Sequence, residues 1–241
     1  MSLLDLARCN PAERRRLLEA FYGDVYLPAF PDPNLREEWG LWFDLMESAP
    51  PPPAPAITVL LRMGGDGRPV GGIVAELYRR SRTGLITYVA VSQAARRRGV
   101  GRSLVEAALA WIAETAGFRP VVLAETELLA PGLAPSERQG VRTRHLILSR
   151  LGAAAADFDY FMPPLEPGKD VHRLLLLAFA QTLPPSGTVP AAAIAAFLAE
   201  LAAALGADLA AHRETEAMMR RLDSRDEISF LPLGDRASGD N

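Results

Sequence analysis

The stretch that most constrains the fold is a series of apolar runs that begins at residue 57. Three runs rich in β-branched residues, ITVLLRM, VGGIVAELY and LITYVAV, are separated by the glycine-containing turns GGDGRP and RRSRTG. Runs of this length and composition are typical of strands, and short glycine-containing turns join antiparallel neighbours. The sequence therefore predicts a three-stranded antiparallel meander over residues 57–63, 70–78 and 85–91.

A helix is predicted directly after the meander, over residues 100–117, where apolar residues recur at helical spacing and a glycine ends the run. The segment RRRGVGRS joins the last strand to this helix and places glycines at the helix start. A helix N-terminus exposes backbone N–H groups and carries partial positive charge. Glycine lets an anion approach those groups closely. The segment therefore predicts a site for a phosphate or pyrophosphate.

The spacing of this segment distinguishes between phosphate-binding motifs. A P-loop needs Gly-Lys-Ser/Thr, whereas Gly101 is followed by Arg102 and Ser103, and a dinucleotide fingerprint needs a third glycine in a parallel βαβ unit. The pattern Arg96-x-x-Gly99-x-Gly101 instead resembles the acyl-CoA signature Arg/Gln-x-x-Gly-x-Gly/Ala of the GNAT superfamily of CoA-dependent N-acyltransferases. The alternative interpretation is a solvated turn that only caps a helix.

The order of the other predicted elements is also similar to that family over about residues 10–182. We expect an α+β fold: a GNAT-like mixed central sheet, mostly antiparallel, flanked by helices, with a C-terminal helical extension. The predicted domains are a GNAT-like domain at 1–182 with a proline-rich connector at 50–56, a helical extension at 187–233 and a disordered tail at 234–241. The other predicted elements are helices at 11–22, 142–152, 190–206 and within 207–222, a short amphipathic helix near residue 40, strands at 120–128, 157–165 and 171–180, and a loop at 129–141.

The resemblance implies acetyl-CoA as the cosubstrate. Backbone groups of Val89, Ala90 and Val91 would hold the pantetheine arm as an added strand does. Backbone N–H groups of the following segment would wrap the pyrophosphate, and its arginine side chains would contact the 3′-phosphate. The residues of that segment are Arg96, Arg97, Arg98, Gly99, Val100, Gly101, Arg102 and Ser103.

The resemblance also implies where acid catalysis should lie, and here the sequence departs from the family pattern. Many members use a tyrosine four residues before the glycine that ends the helix after the fifth strand. That glycine is Gly152, and Leu148 occupies the tyrosine position. Tyr160 or Tyr88 could substitute, or the thiolate could leave unassisted. A strand N–H, by position that of Val89, would stabilise the oxyanion.

Three glutamates are candidate general bases: Glu76, and Glu125 and Glu127 on the strand after the predicted helix. Residues two apart share one face of a strand, so the last two form a pair that could accept a substrate amine. The alternative is that they face solvent or pair with Arg142 or Arg144.

The segment VYLPAFPDP lies where GNAT members place a variable lid that binds the acceptor. Tyr26, Phe30 and Asp32 are the candidate acceptor-binding residues within it. Simple packing of Tyr26, Leu27 and Phe30 on the core is an equal alternative.

Composition narrows the function classes further. A net charge of −3 argues against a general nucleic-acid binder, and Cys9, the single cysteine, excludes an intramolecular disulfide or cysteine cluster. We expect no metal, no membrane span and a cytoplasmic protein, because the histidines are scattered and neither a signal peptide nor a run of ~20 apolar residues occurs. The alanine-rich stretch 190–206 must cover its own sheet or a second subunit, so a homodimer is possible.

The sequence therefore predicts an N-acetyltransferase that moves an acetyl group from acetyl-CoA to an amine of a small molecule or a protein, by direct attack in a ternary complex. Two alternatives stay open: a different acyl donor such as succinyl-CoA, and a non-catalytic CoA-binding regulatory module.

Overall fold

The computed structural model describes residues 2–165 and 170–233. The chain forms two compact units, Met1–Pro120 and Val121–Asn241. This division differs from the predicted boundary near residue 182, and the predicted disordered tail at 234–241 lies outside the described residues.

The first unit contains the predicted meander, and its strand order is β1-β2-β3-β4 with every neighbour antiparallel. The strand β1, which the sequence analysis did not predict, lies at one edge of this group. Helices precede and follow the meander close to their predicted positions. The elements are β1 (Leu3–Asp5), α1 (Pro11–Phe21), a π-helical turn (Tyr22–Tyr26), α2 (Leu27–Ala29), α3 (Trp39–Ser48), β2 (Ala56–Met63), β3 (Pro69–Tyr78), β4 (Thr83–Val91) and α4 (Val100–Ala116).

Two adjacent glycines in β3 explain how helices cover both faces of the meander. A Cβ added at Gly72 would lie 2.5 Å from the Phe21 ring of α1, and one added at Gly71 would lie 3.0 Å from Cγ1 of Val100 in α4. Successive residues of a strand point to opposite faces. Helices α1 and α4 therefore pack on opposite faces of the sheet, each close to the backbone.

The second unit has the strand order β5-β8-β6-β10-β9, with β7 also paired to β8, and its described pairs are antiparallel. The apolar face of α6 is buried within this chain, where α6 contacts α7, β9 and β10. The elements are β5 (Val121–Glu127), α5 (Pro135–Arg150), β6 (Ala153–Ala156), β7 (Tyr160–Met162), β8 (His172–Phe179), β9 (Thr188–Pro190), α6 (Ala191–Leu205), α7 (Arg213–Asp223) and β10 (Glu227–Pro232).

The predicted fold class is confirmed: a mostly antiparallel sheet flanked by helices. Several boundaries are wrong. The predicted loop at 129–141 gives way to α5 at Pro135, because Pro135 suits a first turn and the Glu137 carboxylate accepts the Ala134 N–H at 3.0 Å. The predicted strand at 157–165 is reduced to the three-residue β7, and β6 lies before it, at residues for which no strand was predicted. The extension contains β9 and β10 besides its helices. Among the described helices, none combines the length and hydropathy that a membrane span requires.

Candidate active site

The connection between β4 and α4 has an unusual backbone. Gly99 is the N-cap residue of α4 and has a φ of 78°, which glycine adopts without steric cost. Arg97 has a φ of 59°, in the left-handed region that non-glycine residues seldom occupy. Backbone strain of this kind clusters at ligand-binding sites. Gly99 of the predicted signature therefore occupies a position of the turn that requires a positive φ.

The N-terminus of α4 presents unpaired donors. The first bond of this helix runs from Ser103 N–H to Gly99 O at 3.0 Å, so the N–H groups of Val100, Gly101 and Arg102 have no intrahelical acceptor. Among the described side chains none caps this end. A Cβ added at Gly101 would meet only Cγ2 of Val91, at 3.8 Å, so there is open space beside the backbone. This arrangement suits an anion.

At both ends of the predicted phosphate-binding segment the backbone N–H groups bond within the chain. Ser103 uses its N–H within the helix, and its hydroxyl donates to Val100 O at 2.9 Å. The N–H of Arg96 lies 3.4 Å from Gln93 O in the preceding turn. Side chains of the four arginines at 96, 97, 98 and 102 are exposed around the helix start. Positive charge therefore surrounds the unpaired donors, as expected.

The register of β3 and β4 decides which backbone groups of β4 are available. Ser92 N–H donates to a β3 carbonyl at 2.9 Å, and in an antiparallel pair the bonded residues alternate. Ala90 and Tyr88 therefore also direct their backbone groups at β3, whereas Val89 and Val91 direct theirs away from it. Nε of Arg96 donates to Val91 O at 3.2 Å, in agreement. Of the three residues predicted to hold the pantetheine arm, Ala90 is the one whose backbone groups pair with β3.

A β-bulge interrupts β4 immediately before these residues. Val74 pairs with Tyr88 and Ala75 pairs with Ile86, so Thr87 is an extra residue without a β3 partner. Its Oγ1 is buried and has no hydrogen-bond partner among the described residues. Bulges are frequent next to active sites, where they redirect side chains. The sequence analysis missed this feature, because nothing in LITYVAV distinguishes a bulged strand from a regular one.

In the second unit, Glu125 accepts a hydrogen bond from the Tyr160 hydroxyl, across β8. Tyr160 is 1% exposed. Burial and the neighbouring Glu125 carboxylate raise the pKa of the Tyr160 hydroxyl well above its ordinary value, so the phenol stays protonated at neutral pH. The structure thus brings together one predicted base and one predicted acid, and the phenol donates a hydrogen bond to the carboxylate.

Glu127 is in a different environment from Glu125, although both lie on β5. Its carboxylate forms a two-point ion pair with Arg144 of α5, with N–O distances of 2.7 and 3.0 Å. The backbone carbonyl of Glu127 lies 2.8 Å from Nε2 of His145. The pairing alternative is therefore the one that the structure shows for Glu127. Leu148, at the usual tyrosine position, is half-buried on the same helix.

Glu76 is buried inside the first unit. It is 4% exposed, and its carboxylate accepts the Tyr78 hydroxyl at 2.9 Å. On β3, Glu76 lies directly opposite Ile57 of β2 on one side and Leu85 of β4 on the other. The structure therefore places Glu76 inside the unit, where its carboxylate is enclosed, and its role as a base stays a prediction.

The predicted lid residues belong mainly to the core. Tyr26 is 0% exposed, so it cannot contact an acceptor. Its ring lies within 5.1 Å, between centroids, of the rings of Tyr22, Phe30, Trp42 and Tyr88. For Tyr26 the structure thus shows the packing alternative, and Tyr88 is buried in the same cluster.

Two other features surround this aromatic cluster. Asp32 is exposed, and its side chain accepts the Asn34 N–H at 2.9 Å as the cap of a short helical turn. Glu37, which the sequence analysis did not single out, is buried and accepts the Trp42 indole N–H at 2.7 Å. Across the part of the chain that the structure describes, no group of three or more His, Cys, Asp or Glu residues could hold a metal ion.

The comparisons with known proteins agree with this geometry. Residues 16–130 match the model of the acetyltransferase (GNAT) family. This region of the chain is therefore similar to GNAT acetyltransferases. A comparison with curated proteins finds no match.

One solved structure with a TM-score above 0.5 shows the same fold at low identity. A protein from Bacteroides thetaiotaomicron assigned to the GNAT family is 15% identical, with 74% of this chain and 86% of that chain covered and a TM-score of 0.52. A ribosomal-protein-alanine N-acetyltransferase from Brucella melitensis is 16% identical, with 74% and 98% covered and a TM-score of 0.48. An aminoglycoside 6′-N-acetyltransferase complexed with coenzyme A is 16% identical, with 76% and 98% covered and a TM-score of 0.49. At 15% identity the first of these likenesses concerns the fold alone.

Proposed function

We propose that this protein is an N-acetyltransferase that transfers the acetyl group of acetyl-CoA to an amine of a small molecule or a protein, by direct attack in a ternary complex. The observation that carries the proposal is the uncapped N-terminus of α4, with open space at Gly101, directly after a strand whose Val89 and Val91 direct their backbone groups away from β3.

The cofactor would be held by two sets of groups in the first unit. Backbone groups of Val89 and Val91 would pair with the amides of the pantetheine arm. The N–H groups of Val100, Gly101 and Arg102 would donate to the pyrophosphate, where charge-assisted hydrogen bonds are strong. The exposed side chains of the neighbouring arginines would neutralise the phosphates.

The proposed reaction forms one C–N bond and breaks one C–S bond. A neutral amine attacks the thioester carbonyl, and the Val89 N–H would stabilise the tetrahedral oxyanion. Collapse of this intermediate expels the CoA thiolate, and the proton of the amine passes to a base. We assign the base to Glu125, with Tyr160 as its positioning residue, because Glu127 is ion-paired and Glu76 is enclosed. The thiolate would leave without a tyrosine acid.

A non-catalytic CoA-binding module is the second candidate. It is favoured by Leu148 at the usual tyrosine position and by the engagement of the Tyr160 hydroxyl with Glu125. The two candidates differ in turnover: a module binds acetyl-CoA but releases no thiol with any amine.

A calorimetric titration with acetyl-CoA tests the binding site, with free CoA and succinyl-CoA as comparisons. We expect micromolar binding by the wild type. Gly101→Asp should weaken it at least about 100-fold, because a carboxylate would replace the space for an anion. The substitution should be tolerated by the fold, since a Cβ at Gly101 meets only Val91 at 3.8 Å.

Gly65→Asp is the matched control, because it makes the same change in an exposed turn where a Cβ meets nothing within 4 Å. This variant should bind acetyl-CoA as the wild type does. Unchanged binding by a folded Gly101→Asp variant would show that the phosphates bind elsewhere. Preference for succinyl-CoA would reassign the donor, and thiol release in an amine screen would exclude the non-catalytic module.

A further inference from the structure

Helix α5 exposes two large apolar side chains that are adjacent in the sequence. Leu146 and Ile147 are 52% and 51% exposed, more than any other large apolar residue in the described part of the chain. The helix buries Val141 and His145 instead. Adjacent apolar side chains that stay exposed within a polar rim are typical of interaction surfaces. We therefore examined which residues surround this pair.

Two arginines stand one turn before and one turn after Leu146. Arg142, Leu146 and Arg150 are all exposed and are spaced at i, i+4 and i+8, so they form one row about 12 Å long on the helix surface. Within residues 2–165 and 170–233, neither arginine forms an ion pair. This row, which we call the α5 stripe, presents an apolar centre between two positive charges.

Helix α4 carries the opposite pattern at the same spacing. Glu106, Ala110 and Glu114 are exposed and also stand at i, i+4 and i+8. No ion pair with another described residue involves either glutamate. We call this row the α4 stripe. It has a small side chain where the α5 stripe has a leucine, and negative charges where the α5 stripe has positive ones.

The two stripes are complementary in shape as well as in charge. Rows at i, i+4 spacing on two helices interdigitate when the helices cross at about −50°, which is the commonest packing of helices in globular proteins. Leu146 would then lie over Ala110, with an arginine beside a glutamate at each end of the contact. Both relative directions of the helices give this match, because each stripe has like charges at its two ends.

A second copy of this chain is the partner that these observations favour. Two α5 stripes cannot pair with each other, because arginine would face arginine. A membrane surface requires a long apolar helix face, whereas α5 exposes only two large apolar residues. The α4 stripe provides both the space for the leucine and the neutralising charges, and each copy of the chain carries it.

We propose that copies of this protein associate through the α5 stripe of one copy and the α4 stripe of another. This inference does not depend on the proposed function, since neither stripe contains a residue assigned there to cofactor binding or catalysis. A helix-on-helix contact is small for a protein interface, so the complex should form at micromolar concentrations. It should weaken as salt is added, because exposed charges are screened.

Sedimentation velocity of the full chain, from about 1 to 100 μM, tests the proposal. The mean mass of the wild type should rise with concentration, and this rise should be smaller in high NaCl. Two doubly substituted variants reverse one stripe each: Arg142→Glu with Arg150→Glu, and Glu106→Arg with Glu114→Arg. Each should stay monomeric alone, because like charges then face each other. An equimolar mixture of the two should associate again, because every contact between unlike copies pairs opposite charges.

Leu146→Asp should also abolish association, because it places a carboxylate in the apolar centre of the contact. Leu41→Asp is the matched control, since it makes the same change on α3 at a residue that is 44% exposed, and it should associate as the wild type does. Circular dichroism checks that each variant is folded. If one reversed variant does not fold, the other reversed variant and Leu146→Asp still decide.

Three results would overturn the proposal. The first is a wild type that stays monomeric over the whole concentration range. The second is association that neither reversed variant weakens, which would assign the contact to another surface. The third is a failure of the mixture to associate when each reversed variant alone is monomeric. Binding of a monomeric wild type to vesicles of anionic phospholipid, if Leu146→Asp abolished it, would assign the α5 stripe to a membrane instead.

Discussion

At the scale of single residues, the two glutamates of β5 show what a sequence can and cannot predict. Their spacing predicts that Glu125 and Glu127 share a face. Glu127 is ion-paired with Arg144 of α5, 17 positions away. Glu125 accepts a hydrogen bond from Tyr160 of β7, 35 positions away. Those contacts are set by tertiary packing, so only the pair, and not the assignment of roles, could be predicted.

Glu125→Gln should lower kcat about 100-fold or more, since removal of a general base typically costs that much, while binding of acetyl-CoA is retained. Tyr160→Phe should lower kcat by a smaller factor, because it removes the hydrogen bond that positions the Glu125 carboxylate. Steady-state assays of thiol release across pH provide the measurement.

Glu127→Gln is the comparison for this pair of variants. It breaks an exposed ion pair with Arg144, and such pairs contribute about 0–1 kcal/mol. Both kcat and the free energy of unfolding should therefore stay near the wild-type values. Equal losses of kcat in Glu125→Gln and Glu127→Gln would contradict the assignment of the base to Glu125.

At the scale of elements, the meander and α4 could be predicted because their signals are local: alternating strand runs, glycine turns and a helical repeat. Strand β6 could not, since AAAA at 153–156 has low strand propensity and becomes a strand only by pairing with β8 and β10. The glycine pair of β3 is visible in the sequence. The sequence does not show which helices approach it.

Gly72→Ala should destabilise the first unit by about 1–3 kcal/mol, the usual cost of overpacking a core. The added methyl would lie 2.5 Å from the Phe21 ring and 2.8 Å from Cδ2 of Leu61, both in the core. Urea unfolding followed by circular dichroism measures the effect. Gly40→Ala, in α3 with nothing within 4 Å, should instead raise stability by up to about 1 kcal/mol.

At the scale of the whole molecule, the C-terminal region forms part of the second unit. Strand β10 lies between β6 and β9 in its sheet. The two helices of this region could be predicted from apolar periodicity. The strands could not, because β9 has three residues and the pairing of β10 is long-range.

Ile228→Ala should lower the free energy of unfolding by about 2–5 kcal/mol, because Ile228 on β10 is 0% exposed. Leu231→Ala, on the same strand but 39% exposed, should change it by less than about 0.5 kcal/mol. Thermal unfolding of the full chain distinguishes them. Similar midpoints for both variants would mean that β10 contributes little to the second unit.

The bulge at Thr87 has a consequence for any alignment of this chain with its relatives. Tyr88 and Ile86 pair with consecutive residues of β3, so the sheet would be continuous if Thr87 were deleted. A relative with a regular strand therefore needs a one-residue gap at this position. An ungapped alignment anchored on residues 83–86 matches Val89 to the residue of the relative that is structurally equivalent to Ala90. Backbone groups that point away from β3 are then matched to groups that point towards it. Residue roles should be transferred to this strand from superposed backbones.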